Sequence, residues 1–127
     1  MDENMVDWMK EFGLPGDKIK ELVGKYGEEH VRAAAAAGLK GEDLKSGSFA
    51  SFKYGPEHMV NAVEASLRGF DIHRGAYASS KHGPLAMLTA VEAGLTGWDI
   101  PTGAKLFAER KLVGLNLYKA VRAAKKR

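Results

Sequence analysis

Residues 94–100 read GLTGWDI, and the same phrase stands twice earlier in the chain, as SLRGFDI at 66–72 and GLKGEDL at 38–44. The spacing is 28 residues each time. Cutting at Lys25, Lys53 and Lys81 yields three contiguous blocks, 25–52, 53–80 and 81–108, and the second and third agree at 14 of 28 positions. In all three, lysine, glycine, two alanines, leucine, glycine, aspartate and glycine return at the same places. A period of roughly 20–50 residues marks a repeat array, in which each unit buries its apolar face against its neighbours.

Each block reads as two helices. In the third, Gly83 ends one helix and Pro84 is pre-set for the first position of the next. Leu85, Leu88, Val91 and Leu95 follow at helical spacing and predict the core-facing stripe of that helix. Gly97 stops it, Asp99 is expected to cap the following helix, and Pro101 is tolerated in its first turn. The repeated phrase is therefore a corner: helix end, glycine stop, aspartate cap and an aliphatic plug at Leu44, Ile72 or Ile100. Before the blocks, 1–24 reads as a shortened N-terminal capping unit; after them, 109–127 reads as a basic C-terminal capping helix with an apolar stripe of Val113, Leu117, Val121 and Ala124. The expectation is one domain over 1–127, all-α, a helical-repeat solenoid of stacked antiparallel pairs with seven or eight helices.

The chain has 127 residues and a net charge of +3, unevenly placed. Residues 1–24 sum to −3, each block sums to zero, and 109–127 carry seven bases against one acid. There is no cysteine, so disulfides and thiolate metal sites are excluded. The acidic start does not resemble a signal peptide, and the least polar run, AAAAAGL from Ala33, is too short to cross a membrane. A cytoplasmic location with no membrane partner is the expectation.

The order of small-residue helix, K-x-G turn, longer apolar helix and G-x-D-I corner resembles the ankyrin repeat. GAYASSKHGPLAMLTAVEAGLTGWDI is similar to an ankyrin unit from its inner helix to the start of its hairpin, and the resemblance covers residues 14–108. Gly75, Ala76 and Tyr77 stand where the family has Pro, Leu and His, and the period is five residues short of the ankyrin length, which removes the projecting β-turn. The resemblance implies an interaction scaffold without catalysis. GLPGDKIKELV and GLTGWDIPTGAKLF also resemble the helix-hairpin-helix, but Pro15, Lys40, Arg68 and Thr96 interrupt its hydrophobic-Gly-hydrophobic-Gly pattern.

Chemistry-bearing residues are few. Asp43, Asp71 and Asp99 recur, but equivalent residues of stacked helices lie about 8–10 Å apart, too far to share an ion, so capping is their expected role. Glu29-His30 and Glu57-His58 share a repeat position, yet Leu85-Ala86 stands there in the third block, and zinc would lack its further ligands. The serines Ser48, Ser51, Ser79 and Ser80 read as close-packing residues. No nucleophile elbow or P-loop is present, so neither enzymatic activity nor a cofactor or metal is expected.

Positions that vary within the repeat are free of scaffold duty. One corner position holds Glu42, Phe70 and Trp98; another, on the small-residue helices, holds Phe49, Tyr77 and Lys105. Phe70 and Trp98 either tuck under the next helix as core or anchor a partner. Phe49, Tyr77 and Lys105 would face the concave side of an ankyrin-like stack. These five residues are the candidate partner-binding set of an adaptor or inhibitor whose partner is another protein. The alternative partner is nucleic acid, its phosphates met by Arg110, Lys111, Lys119, Arg122, Lys125, Lys126 and Arg127.

Overall fold

The computed structural model describes residues 16–125, which form eight α-helices and no strand. They are α1 (Gly16–Tyr26), α2 (Glu28–Ala36), α3 (Gly41–Tyr54), α4 (Pro56–Glu64), α5 (Phe70–His82), α6 (Pro84–Glu92), α7 (Asp99–Arg110) and α8 (Gly114–Lys125). Residues 1–15 of the expected N-terminal cap, with Lys126 and Arg127, lie outside the described residues.

Single glycines join α1 to α2, α3 to α4 and α5 to α6. Gly27, Gly55 and Gly83 adopt φ of 97°, 106° and 95° with ψ near 150° (145°, 147° and 156°), a region open essentially to glycine alone. Each ends one helix and starts the next without a loop, and Pro56 and Pro84 occupy the first helical turn as their fixed φ favours. Across the repeated corner, α2 packs on α3, α4 on α5 and α6 on α7, while α3, α5 and α7 also pack on one another in chain order. The small-residue helices are the longer members, with 14, 13 and 12 residues against nine for each of α2, α4 and α6. This reverses the expected order of lengths, because the glycine stop in K-x-G follows only after the small-residue helix has run through the lysine.

The core repeats with the sequence. Leu44, Ile72 and Ile100 are fully buried, as their role as plugs requires, and Leu39, Leu67 and Leu95 close each corner from the other side. Gly47, Gly75 and Gly103 mark where the paired helices approach most closely. A Cβ at any of them would overlap Cδ1 of Leu39, Leu67 or Leu95 and lie 3.1 Å from the Cβ of Ala34, Ala62 or Ala90.

The expected core stripe of α6 is out of phase. Leu85 is 66% exposed and Leu88 37%, while Ala86, Met87 and Ala90 are buried; of the expected set only Leu95, beyond the helix, is fully inside. Small side chains let α6 settle closely on α7, and that packing decides which face turns inward. In α8, likewise, Leu117 and Val121 are buried, but Val113 just before the helix is 53% exposed.

The recurring aspartates do not cap their own helices; none of these helices has a side-chain cap bond. Instead each reaches forward one repeat. The backbone N–H of Gly69 donates to Asp43 Oδ1 at 2.7 Å, and that of Gly97 donates to Asp71 Oδ1 at 3.1 Å. No further repeat follows Asp99, and Lys125 Nζ of α8 donates to its Oδ2 at 3.2 Å. Free amides at a helix start favour a carboxylate, and the adjoining repeat supplies it. Asp71→Ala is expected to lose about 2 kcal/mol in urea denaturation, since a charge-assisted bond is removed and an amide left unmet. Asp71→Asn, which keeps an acceptor oxygen, restores most of it, and Asp99→Ala costs less than about 1 kcal/mol because its partner is a half-exposed lysine.

Candidate functional site

The long helices turn one stripe to solvent. On α5 it runs Phe70, Arg74, Tyr77 and Lys81, at spacings of four, three and four that hold one helical face. The corresponding stripes of α3 and of the start of α7 flank it, and between them lies a solvent-open groove of about 480 Å³. Tyr26, Phe49, Phe70, His73 and Trp98 form its apolar lining; Glu42, Lys45, Ser46 and Arg74 form the polar part.

The sequence-nominated residues divide here. Phe49, Phe70 and Trp98 converge on the groove, and Tyr77 adjoins it through Trp98, ring centroids 6.0 Å apart. Phe70 is 75% and Trp98 55% exposed, so neither tucks under the next helix. Each stands at the very start of its helix, ahead of the plug that turns inward. Lys105 is exposed on α7 and does not line the groove.

Rings continue beyond the nominated set as a ladder across the blocks. Tyr26 meets Phe49 at 5.8 Å, Phe49 meets His73 at 4.8 Å, and His73 meets Tyr54 at 5.2 Å and Trp98 at 5.8 Å. Tyr54 in turn meets Tyr77 at 5.6 Å. Cations accompany them. Arg74 sits 5.9 Å from the Phe70 ring and 5.5 Å from that of Trp98, and Lys25, Lys53 and Lys81 each lie within about 6 Å of a ring: Lys25 over Tyr26, Lys53 over Phe49 and Tyr54, Lys81 over Tyr77. The one acid of the groove, Glu42, is met by Lys45 at 3.4 Å, and the groove's Arg74 is met by Asp71, outside the lining, at 3.0 Å.

His73 is the pivot of the ladder. Its partial burial, then the charges of Lys53 and Arg74, disfavour the imidazolium and hold its pKa below the ordinary histidine value. Burial, with Tyr77 nearby, raises the Tyr54 phenol above its usual value. The Tyr54 hydroxyl lies 3.5 Å from His73 Nε2. Among the described residues, two buried side-chain nitrogens lack a hydrogen-bond partner, His73 Nδ1 and Arg74 Nε, and both residues line this groove. Reading block positions one by one missed His73, Arg74, Lys45 and Tyr26. The signal was available in their spacing, since His73 and Arg74 fall one turn beyond Phe70, on the same helical face.

The other candidates are placed elsewhere. Ser51 and Ser79, read as packing residues, are buried and each pairs its Oγ with a histidine Nδ1 at 2.8 Å, His30 and His58 respectively. The two histidines are thus each tied to a serine of their own block. Among the described residues no three histidine, aspartate or glutamate side chains come together as a metal site. Of the C-terminal bases, Arg110, Lys111, Lys119 and Arg122 are exposed, Lys111 in a left-handed conformation that ends α7. Lys125 is engaged by Asp99. Lys111 and Arg122 lie 5.4 and 5.9 Å from the rings of Phe107 and Tyr118.

No helix among the described residues is long and apolar enough to cross a membrane. Comparison with protein-family models, curated proteins and solved structures returned no match.

Proposed function

We propose that this chain is a non-catalytic interaction module: a short helical-repeat solenoid, similar to an ankyrin array without its hairpins, that holds another macromolecule along its long helices. The observation that carries the reading is the convergence of Phe49, Phe70 and Trp98, three residues at repeat-variable positions, with Arg74 in one solvent-open groove. Large exposed rings cost a folded chain solubility and gain nothing in the core. Trp, Tyr and Arg in a pocket are also the residue types that dominate binding energy at interfaces. The helices fix these side chains in advance, so little conformational entropy is lost when a partner docks.

The test uses two random libraries, phage-displayed peptides and single-stranded oligonucleotides, each selected on the wild type and on the Phe70→Ala/Trp98→Ala double variant. At least one library is expected to yield ligands that bind the wild type and lose tenfold or more on the variant, about 1.4 kcal/mol or more. Failure of both libraries to enrich, or ligands indifferent to the double substitution, overturns the proposal.

A further inference from the structure

We infer that the occupant of the aromatic groove is single-stranded nucleic acid, an inference that rests on reading the groove as the binding surface. Three observations carry it. The first is the ladder itself, a run of rings crossing from Tyr26 through Phe49, His73 and Tyr54 to Tyr77 and Trp98. Aromatic side chains in a row offer stacking surfaces to unpaired bases, and every base has a face to offer in return.

The second is charge. Lys25, Lys53 and Lys81 stand at one repeat position, each beside a ring of the ladder, and no carboxylate among the described residues pairs with any of them. Glu42 and Asp71 are neutralised locally by Lys45 and Arg74. The row of rings that borders and enters the groove therefore carries, among the described residues, one lysine per repeat unpaired with any carboxylate, over Tyr26, Phe49 with Tyr54, and Tyr77. A nucleic-acid backbone supplies a negative charge at every residue, whatever its sequence, whereas a peptide matches such an array only with a special acidic pattern.

The third is looseness. The lysine–ring separations of 5.6–6.0 Å along this row are weak contacts, readily exchanged for a base on the ring and a phosphate on the ammonium. Trp98 and Phe70, at 55% and 75% exposure, stand beside Arg74 rather than a lysine and add open ring surface at the groove. The site differs in place and chemistry from the basic C-terminal helix, where Tyr118 is the one aromatic residue of α8.

The experiment is fluorescence anisotropy of labelled oligo-dT and oligo-U, about fifteen nucleotides long, with a duplex of equal length, at about 50 and 200 mM salt. Folding of every variant is checked by circular dichroism. Both single strands are expected to bind the full chain and the duplex to bind far more weakly. Neutralising three phosphates implies a loss of roughly tenfold to twentyfold between the two salts. Lys25→Gln/Lys53→Gln/Lys81→Gln should flatten that salt dependence by about two slope units. Trp98→Ala should weaken binding about tenfold and Trp98→Phe much less. Arg110→Gln/Lys111→Gln/Lys119→Gln/Arg122→Gln should change it less than the lysine triple does.

No binding at low salt overturns the inference, as does a duplex bound as tightly as a single strand. Binding that survives the groove variants and disappears with the C-terminal ones also overturns it and moves phosphate contact to α8. If only peptides emerge from the two libraries, still dependent on Phe70 and Trp98, the nucleic-acid assignment fails while the groove stands as a protein-binding site.

Discussion

Gly75→Val is expected to cost about 3 kcal/mol or more, read as a lowered urea midpoint with the slope unchanged. Gly75 is buried where α5 lies against the α4 side of its corner. A Cβ there would overlap Leu67 Cδ1 and stand 3.1 Å from Ala62 Cβ and 3.7 Å from Ala62 Cα. Leu67 is itself buried, at 7% exposure, so its methyl has little room to retreat. Gly75→Ala sets two terms against each other. Removing a mid-helix glycine gains up to about 1 kcal/mol in helix propensity, while overpacking costs about 1–3 kcal/mol; a net loss of about 1 kcal/mol is the expected outcome. Gly24→Ala is the control. It lies within α1 with nothing inside 4 Å of its Cβ, so the propensity gain stands alone and the variant should be more stable than the wild type. A Gly75→Val variant as stable as the wild type would mean that α4 and α5 do not pack this closely in solution.

Ile72→Ala should cost about 3–4 kcal/mol, the range for a fully buried aliphatic side chain cut back to its Cβ. Ile72 has no exposed surface and plugs the central corner, flanked by repeats on both sides. Ile72→Val removes one methylene and should cost about 1 kcal/mol. Two residues away, Phe70→Ala should change stability by no more than about 0.5 kcal/mol, because that ring is three-quarters exposed. The pair separates scaffold from surface within one turn of α5. If Phe70→Ala were as damaging as Ile72→Ala, the phenyl ring would belong to the core, and the groove would lose an anchor.

Much of the fold was legible because the chain states it three times. The period is stated by the repetition itself, and the Gly-Pro joint follows from local conformational limits, glycine at positive φ and proline at a first turn. The corner was legible only in its plugs, since α6 ends at Glu92 with Gly94 at φ 91°, ahead of the expected stop at Gly97. The orientation of α6 was not legible from its own residues, since Leu85 and Leu88 are more apolar than the alanines that pack. Comparison between blocks held the clue. The positions of Leu85 and Leu88 carry Glu29 and Arg32 in the first block and Glu57 and Val60 in the second, residues suited to water in three cases of four. The aspartates differ from expectation for another reason. A cap bonds within a few residues, whereas the amide that Asp43 or Asp71 accepts lies 26 residues on. That distance is fixed by the period rather than by any local pattern. Of the groove, Phe49, Phe70 and Trp98 were visible as variation at set positions, as was the adjoining Tyr77. His73 and Arg74 share the face of Phe70 and could be placed by spacing, but their contacts with Phe49 and Trp98 cross to neighbouring blocks.

The forward reach of the aspartates gives the three blocks a direction. The first block presents a carboxylate to the second and the second to the third, Asp43 to Gly69 and Asp71 to Gly97, so the two joints between blocks are alike. Lys125 occupies the last carboxylate as a stopper. A chain with a copy of block 53–80 inserted between Ser80 and Lys81 would carry an aspartate and a glycine amide at the same 26-residue interval across each new joint, as Asp43–Gly69 and Asp71–Gly97 do. The bond that joins neighbouring blocks is thus set at positions the repeat keeps constant, while the rings of the groove stand at positions it leaves free, so joint and surface can change independently.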